Sequence, residues 1–148
     1  IRMSNTMIEV HMKYSTKVRY GLAVVMVLAE KNETTALITI ANRLGLSKNY
    51  LEQVLFLLKS HQIVESIKGP SGGYKLIGID DLDLFTIFSA LDSDLVETID
   101  EKSLDDQRLN QLLNNEVYLP IEQAVTKQLK SIKIKDLVKL NQAEMYYI

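Results

Sequence analysis

The 148-residue sequence contains no cysteine. Disulfide staples, thiolate zinc sites, a cysteine nucleophile and a cysteine-ligated iron–sulfur cluster are excluded together. Histidine is nearly as scarce: His11 and His61 are the only two, too few for a multi-histidine metal site within one chain. Long hydrophobic runs are missing too. The longest, Leu22 to Ala29, falls far short of the roughly 20 residues that span a bilayer. No secretory signal with a basic start and a small-residue cleavage site is legible, so the expectation is a soluble cytoplasmic protein with no membrane partner. No nucleophile–base pair, metal-ligand spacing or phosphate loop stands out, and the chain reads as a non-enzyme without a cofactor.

What is present is ordinary globular material, 47% apolar and 24% charged, long enough for one compact domain or a small domain with an appendage. The net charge of −2 is unevenly spread. Residues 12–76 carry nine Lys/Arg against four Asp/Glu, a net of +5, and residues 77–148 carry seven against fourteen, a net of −7. A basic, anion-facing half and an acidic half with another task is one reading; uneven scatter in a small protein is the other.

Residues 1–11 show no clear period and read as a tag or non-native leader. From Ser15, a plausible N-cap, the apolar residues Val18, Leu22, Val25, Met26 and Ala29 fall on one helical face. A polar break at Asn32 to Thr35 precedes a short helix from about Thr39, whose hydroxyl is a candidate cap, to Leu44, with Gly45 as its natural C-terminal stop. Ser47 then caps a third helix in which Leu51, Val54, Leu55 and Leu58 repeat at helical spacing. Two helices joined by Gly45-Leu46-Ser47 form a helix-turn-helix candidate. Beyond Gln62 the pattern changes to strands, Ile63 to Lys68 and Tyr74 to Ile77, flanking the tip Gly69-Pro70-Ser71-Gly72-Gly73. The whole reads as a mainly α protein with a small β-hairpin: a winged helix-turn-helix domain at 12–78, a short helix and acidic loop at 79–106, and a long helical region at 107–148. In that last region Pro120 either sits in the first turn of a new helix or kinks a continuous one.

At about 100° per residue, with Lys48 at zero, Lys48, Asn49, Glu52 and Gln53 span about 0° to 140° and the leucine face about 240° to 340°. That is where a recognition helix presents side chains to the major groove, its N-terminus favouring phosphate. Gln pairs with adenine, Glu accepts from the cytosine amino group, and Lys or Asn reaches guanine or phosphate. A surface helix with a charged outer face is the plainer alternative. In the hairpin, Gly69, Gly72 and Gly73 permit close backbone approach and Lys68 and Lys75 border the tip, which suits a minor groove. A simple tight hairpin is the alternative. A mononucleotide loop is disfavoured, because the tip lacks a GK[ST] ending and does not open a helix.

Three blocks together carry a resemblance: M-K-Y-S-T-K-V-R-Y-G from Met12, I-A-N-R-L-G-L-S-K-N-Y-L-E-Q from Ile40, and S-I-K-G-P-S-G-G-Y-K-L from Ser66. In this order they resemble the Rrf-type bacterial winged-helix transcription regulators, and Ser131 to Leu137 is similar to the end of that family's dimerisation helix. The resemblance implies a homodimer on double-stranded DNA at a palindromic promoter site. By position, Asn49, Glu52 and Gln53 match the base-facing part of the recognition helix, beside Ser47 and Lys48, and Lys68 matches the basic residue at the wing's entrance. Lys17, Arg19, Tyr50, Ser71, Gly72 and Tyr74 fall where backbone contacts are expected, with packing the competing role for the tyrosines.

The departures are as informative. Gln62 stands where the family often has Gly. Lys68 in place of a frequent Arg removes a planar fork and weakens minor-groove discrimination. Phe56, at about 80° on the helix, and Leu57 put apolar surface where polar residues are common, pointing to a covering helix or a neighbouring subunit. Cluster-binding members carry three cysteines where this sequence has an acidic segment, so the resemblance is to the clusterless branch. Asp92, Asp94, Asp100 and Glu101 offer oxygen donors for a hard cation, a solvated loop being the plainer reading. The expected function is a dimeric DNA-binding regulator, a repressor, with activation the open alternative because the sign depends on operator position. The rival is a winged-helix module that binds protein through Phe56 and Leu57 without sequence-specific DNA binding. A small-molecule effector, a partner protein, or neither fits this sequence.

Overall fold

A computed structural model describes residues 14–92 and 104–145. The leader at 1–11 and the acidic residues Asp94, Asp100 and Glu101 lie outside them. The first helix, α1 (Thr16–Lys31), starts where Ser15 accepts a hydrogen bond from the Val18 N–H at 3.2 Å, and it ends on Asn32 in the left-handed region. Its buried row is Val18, Gly21, Val24, Val25, Leu28 and Ala29, with the expected Leu22 and Met26 only half-buried. The rotation has a cause: α1 is apolar on most sides and later helices pack on it from several directions. At Gly21 a Cβ would run into the Leu91 side chain, so the missing side chain is what admits that neighbour.

The second helix, α2 (Leu37–Leu44), begins two residues before Thr39, with Ala36 at its cap and no side-chain cap. The expected Thr39 cap is therefore incorrect. The Thr39 and Ile40 N–H groups both bond the Ala36 carbonyl, and Thr35 immediately upstream is held in an extended pairing that starts the helix early. Gly45 closes α2 at φ 65°. Ser47 caps α3 (Lys48–Ser60), accepting from the Tyr50 N–H at 3.2 Å. Gln62 follows at φ 58°, a left-handed conformation that costs a residue with a Cβ on the order of 1 kcal/mol.

The wing is β1 (Val64–Ile67) antiparallel to β2 (Gly73–Leu76), with Val64 opposite Leu76 and Ile67 opposite Gly73. A third partner completes it: Thr35 and Tyr74 exchange both backbone hydrogen bonds at 2.9 Å. Gly73 makes this approach possible, since a Cβ there would collide with the Thr35 carbonyl. A turn at Ile79–Asp81 leads into α4 (Leu84–Leu91), which Asp83 caps through the Thr86 N–H at 2.8 Å.

The C-terminal part is mainly helical, with an extended break at Ile132–Lys133. Asp106 caps α5 (Gln107–Leu113), which widens into a π-helical turn at Asn114–Tyr118 and runs on as α6 (Leu119–Ser131). Neither expectation for Pro120 is met in full. The helix does not restart at a capped end, because Leu113, Asn114, Tyr118 and Leu119 all keep right-handed helical angles. Instead the Leu119 N–H reaches back five residues to the Asn114 carbonyl, a wider turn that gives the proline ring room against the preceding carbonyls. Finally α7 (Ile134–Met145) folds back on α1 and buries Ile134 and Val138 in the same core as Leu28, Ile40, Leu55 and Ile87.

Two ties join this part to the winged helix. The Leu84 N–H bonds the Ile132 carbonyl at 3.0 Å and the Ile134 N–H bonds the Leu82 carbonyl at 2.9 Å, with Lys133 Nζ 3.8 Å from the Asp83 carboxylate. Arg43 on α2 grips Glu30 on α1 with two hydrogen bonds of 2.5 and 2.6 Å, and the Asn141 amide of α7 donates to the same carboxylate at 3.4 Å. No helix among the described residues is long and apolar enough to cross a membrane.

Arg43's hydrogen bonds hold the Glu30 carboxyl below its ordinary value of 4.5, against the opposing effect of burial. A carboxylate depressed by folding contributes stability that is present above about pH 4.5 and lost as pH falls through its lower folded value. Glu30→Gln is therefore less stable than wild type near neutral pH, and the gap between their urea midpoints narrows as pH falls below about 4.5; a gap independent of pH would refute the pairing. Gln62→Gly raises stability by on the order of 1 kcal/mol, read as a higher urea midpoint at unchanged slope; an unchanged or lower midpoint would show that the position bears no strain.

Candidate nucleic-acid interface

The recognition-helix candidate is two-sided. Leu51, Val54, Leu55 and Leu58 are fully buried against the body of the protein, and this forces Lys48, Asn49, Glu52 and Gln53 to the outside, where all four are exposed. Asn49, Glu52 and Gln53 line one shallow depression with Phe56, Leu57 and Lys17, so α1 contributes a cation to the edge of the same face. Arg19 is exposed but does not line it; two residues further along a helix, a side chain points to a different side. The Ser47 hydroxyl accepts in the cap, which leaves its own O–H free to donate to a phosphate.

Among the described residues, the charged pairs within 4 Å are Arg43 with Glu30 and Lys133 with Asp83. Lys17, Arg19, Lys48 and Lys68 have no carboxylate within 4 Å among those residues, and Glu52 is the one acid lining the depression. Wing residues Lys68 and Ser71 are exposed and Gly72 is half-buried. Gly72 closes the tip with a hydrogen bond to the Gly69 carbonyl at 3.0 Å, and a Cβ on it would strike the Ile67 carbonyl.

The tyrosines take packing positions. Tyr50 meets Tyr20 edge-on at 5.8 Å between ring centres, and its hydroxyl is buried without a partner among the described residues. Burial, with the neighbouring Tyr20, pushes this phenol above its ordinary pKa. Tyr74 is half-buried and packs against the core. Phe56 is 69% exposed, so the expected covering helix does not lie over it among the described residues. A contact without a sequence signal is Lys59 Nζ to the Ser66 hydroxyl at 2.8 Å, which ties the end of α3 to β1 and holds the wing relative to the recognition helix. No local pattern marks it, because the two residues belong to different elements.

Known proteins share this architecture. Residues 14–140 match the Rrf2 family model, described as an iron-dependent transcriptional regulator. The chain is 33% identical over 146 residues to the HTH-type transcriptional regulator CymR of Bacillus subtilis, covering 93% of this chain and all of that one. It is 30% identical over 132 residues to the HTH-type transcriptional regulator IscR of Xenorhabdus nematophila, covering 86% and 80%. Among solved structures, B. subtilis CymR superposes with a TM-score of 0.72 at 32% identity over 88% of this chain and 98% of that one. IscR of T. potens does so with 0.69 at 28% identity over 93% and 92%. Among the described residues the donors do not fit the iron of the family's description: the sequence has no thiolate, and no three His, Asp or Glu among those residues are placed to hold an ion. A winged helix with an outward polar stripe on α3, matched in sequence and backbone over nearly its whole length, belongs to the Rrf2 family of transcriptional regulators and is not an enzyme.

Proposed function

We propose that this regulator is a homodimer that binds a palindromic promoter operator and represses by occupying it, in the cytoplasm where bacterial DNA lies. The observation that carries the reading is the exposed Asn49, Glu52 and Gln53 stripe beside the exposed Lys17 and Lys48. Side chains that hydrogen-bond base edges stand beside cations that neutralise phosphates, which is the division of labour that sequence-specific binding needs. Lys68, Ser71 and Gly72 at the wing tip would follow the adjacent minor groove, with Arg19 and Ser47 on the backbone. Tyr50 and Tyr74 would support the helix and wing from within.

The dimer is supported by the long helix. Leu109, Leu112, Val117, Tyr118, Leu119 and Ile121 are exposed along α5, the π turn and the start of α6. Six large apolar side chains left exposed along one helix suit burial against a second copy. Two recognition helices related by a two-fold axis then meet half-sites about one helical turn apart, roughly 34 Å. An effector, whether a small molecule between the subunits or a partner protein, would act by changing that spacing.

Selection of genomic fragments with the purified protein tests the reading and returns the operator. Gln53→Ala narrows the preference for operator over random DNA by about 1–3 kcal/mol. Lys48→Ala weakens both complexes and lowers the salt slope by about one unit. Equal losses from both changes on both DNAs would remove Gln53 from base readout, and a salt-independent affinity would remove the phosphate contacts. A failure to enrich any sequence would favour the rival protein-interaction module. Leu112→Glu converts the dimer to monomer in sedimentation and lowers operator affinity by at least about a hundred-fold, through lost coupling of the half-sites; a variant that stays dimeric and tight would place the interface elsewhere.

A further inference from the structure

Phe56 is not explained by packing or by the hydrogen-bonding stripe. It is 69% exposed, on the outer side of a helix whose inner side is fully buried. With Lys48 at zero, Glu52 lies at about 40°, Phe56 at about 80°, Asn49 at about 100° and Gln53 at about 140°. The ring therefore stands within the arc of the candidate base readers, and it lines the same depression as Asn49, Glu52, Gln53 and Lys17. Leu57, half-buried, adjoins it on the core side.

The seven-residue step from Asn49 to Phe56 corresponds to about 10 Å of helix. At 3.4 Å per base pair this is about three base pairs along a groove. A phenyl ring has nothing to offer the hydrogen-bonding edges of adenine, guanine or cytosine in the major groove, and pressing it on them would strand donors and acceptors without partners. One apolar group is displayed there: the C5 methyl of thymine.

We propose that Phe56 is a specificity-determining residue that reads a thymine methyl group in each operator half-site, about three base pairs from the base met by Asn49. The inference rests on the DNA-binding reading above. Lys17, at the edge of the same depression, would bind the flanking phosphate and hold the ring in the groove.

The test uses the full-length protein and the operator returned by fragment selection, prepared as duplexes in which each thymine in turn is replaced by deoxyuridine. This removes one methyl and leaves base pairing intact. Wild type is expected to lose about four-fold in affinity at one position per half-site, the effect of burying one methyl, about 0.8 kcal/mol. In Phe56→Ser the penalty at that position disappears, and in Phe56→Leu part of it remains. Thermal unfolding of the variants, expected unchanged at this exposed site, separates readout from folding. Indifference of wild type to every deoxyuridine, or penalties unaltered in Phe56→Ser, overturns the inference while leaving operator binding intact. Unaltered operator affinity with a changed oligomeric state in Phe56→Ser assigns the ring to a protein surface and overturns it as well. A wild type that selects no DNA overturns the DNA-binding reading itself, and this inference with it.

Discussion

The candidate DNA-binding face of this protein depends on the burial of one row of side chains. Leu51, Val54, Leu55 and Leu58 are each fully enclosed, and truncating any one of the three leucines to alanine would cost about 2–5 kcal/mol. Because a helix is rigid, burying that row also sets the rotation of α3. Lys48, Asn49, Glu52, Gln53 and Phe56 face outward as a consequence and need no contacts of their own to hold them there.

The wing is positioned by backbone more than by side chains. Thr35 lends it a third pairing through both hydrogen bonds to Tyr74, and Gly73 is the residue that lets those backbones approach. Lys59 then fastens β1 to the end of the recognition helix. Helix and wing are thus joined by both backbone and side-chain contacts.

The long helix is tied to that body at its C-terminal end. The paired strands of backbone at 82–84 and 132–134 and the Lys130 ammonium over the Phe85 ring at 4.7 Å anchor α6. The α5 end carries large apolar side chains that stay exposed among the described residues. The π turn lies between these two regions. It accommodates Pro120 without breaking the helix and turns the side chains beyond it relative to those before it.

Local chemistry was legible in the sequence. Ser15, Ser47 and Gly45 act within a few residues of themselves, so caps and stops can be read from residue type; the leucine spacing of α3 likewise decides which side is buried and which residues are presented. The tip glycines and the absence of cysteine are of the same kind, and they bound the wing and the chemistry without any coordinates. What required the tertiary structure involves residues far apart in the chain. α2 starts before Thr39 because Thr35 is paired with Tyr74. α1 buries a rotated face because several helices surround it, Tyr50 is turned inward by Tyr20, and Phe56 is left bare because nothing described packs over it. Caps, turns and periodicity are short-range and are written along the chain, whereas burial, strand partners and exposed rings depend on which distant segment arrives at a given surface, and only the packed molecule decides that.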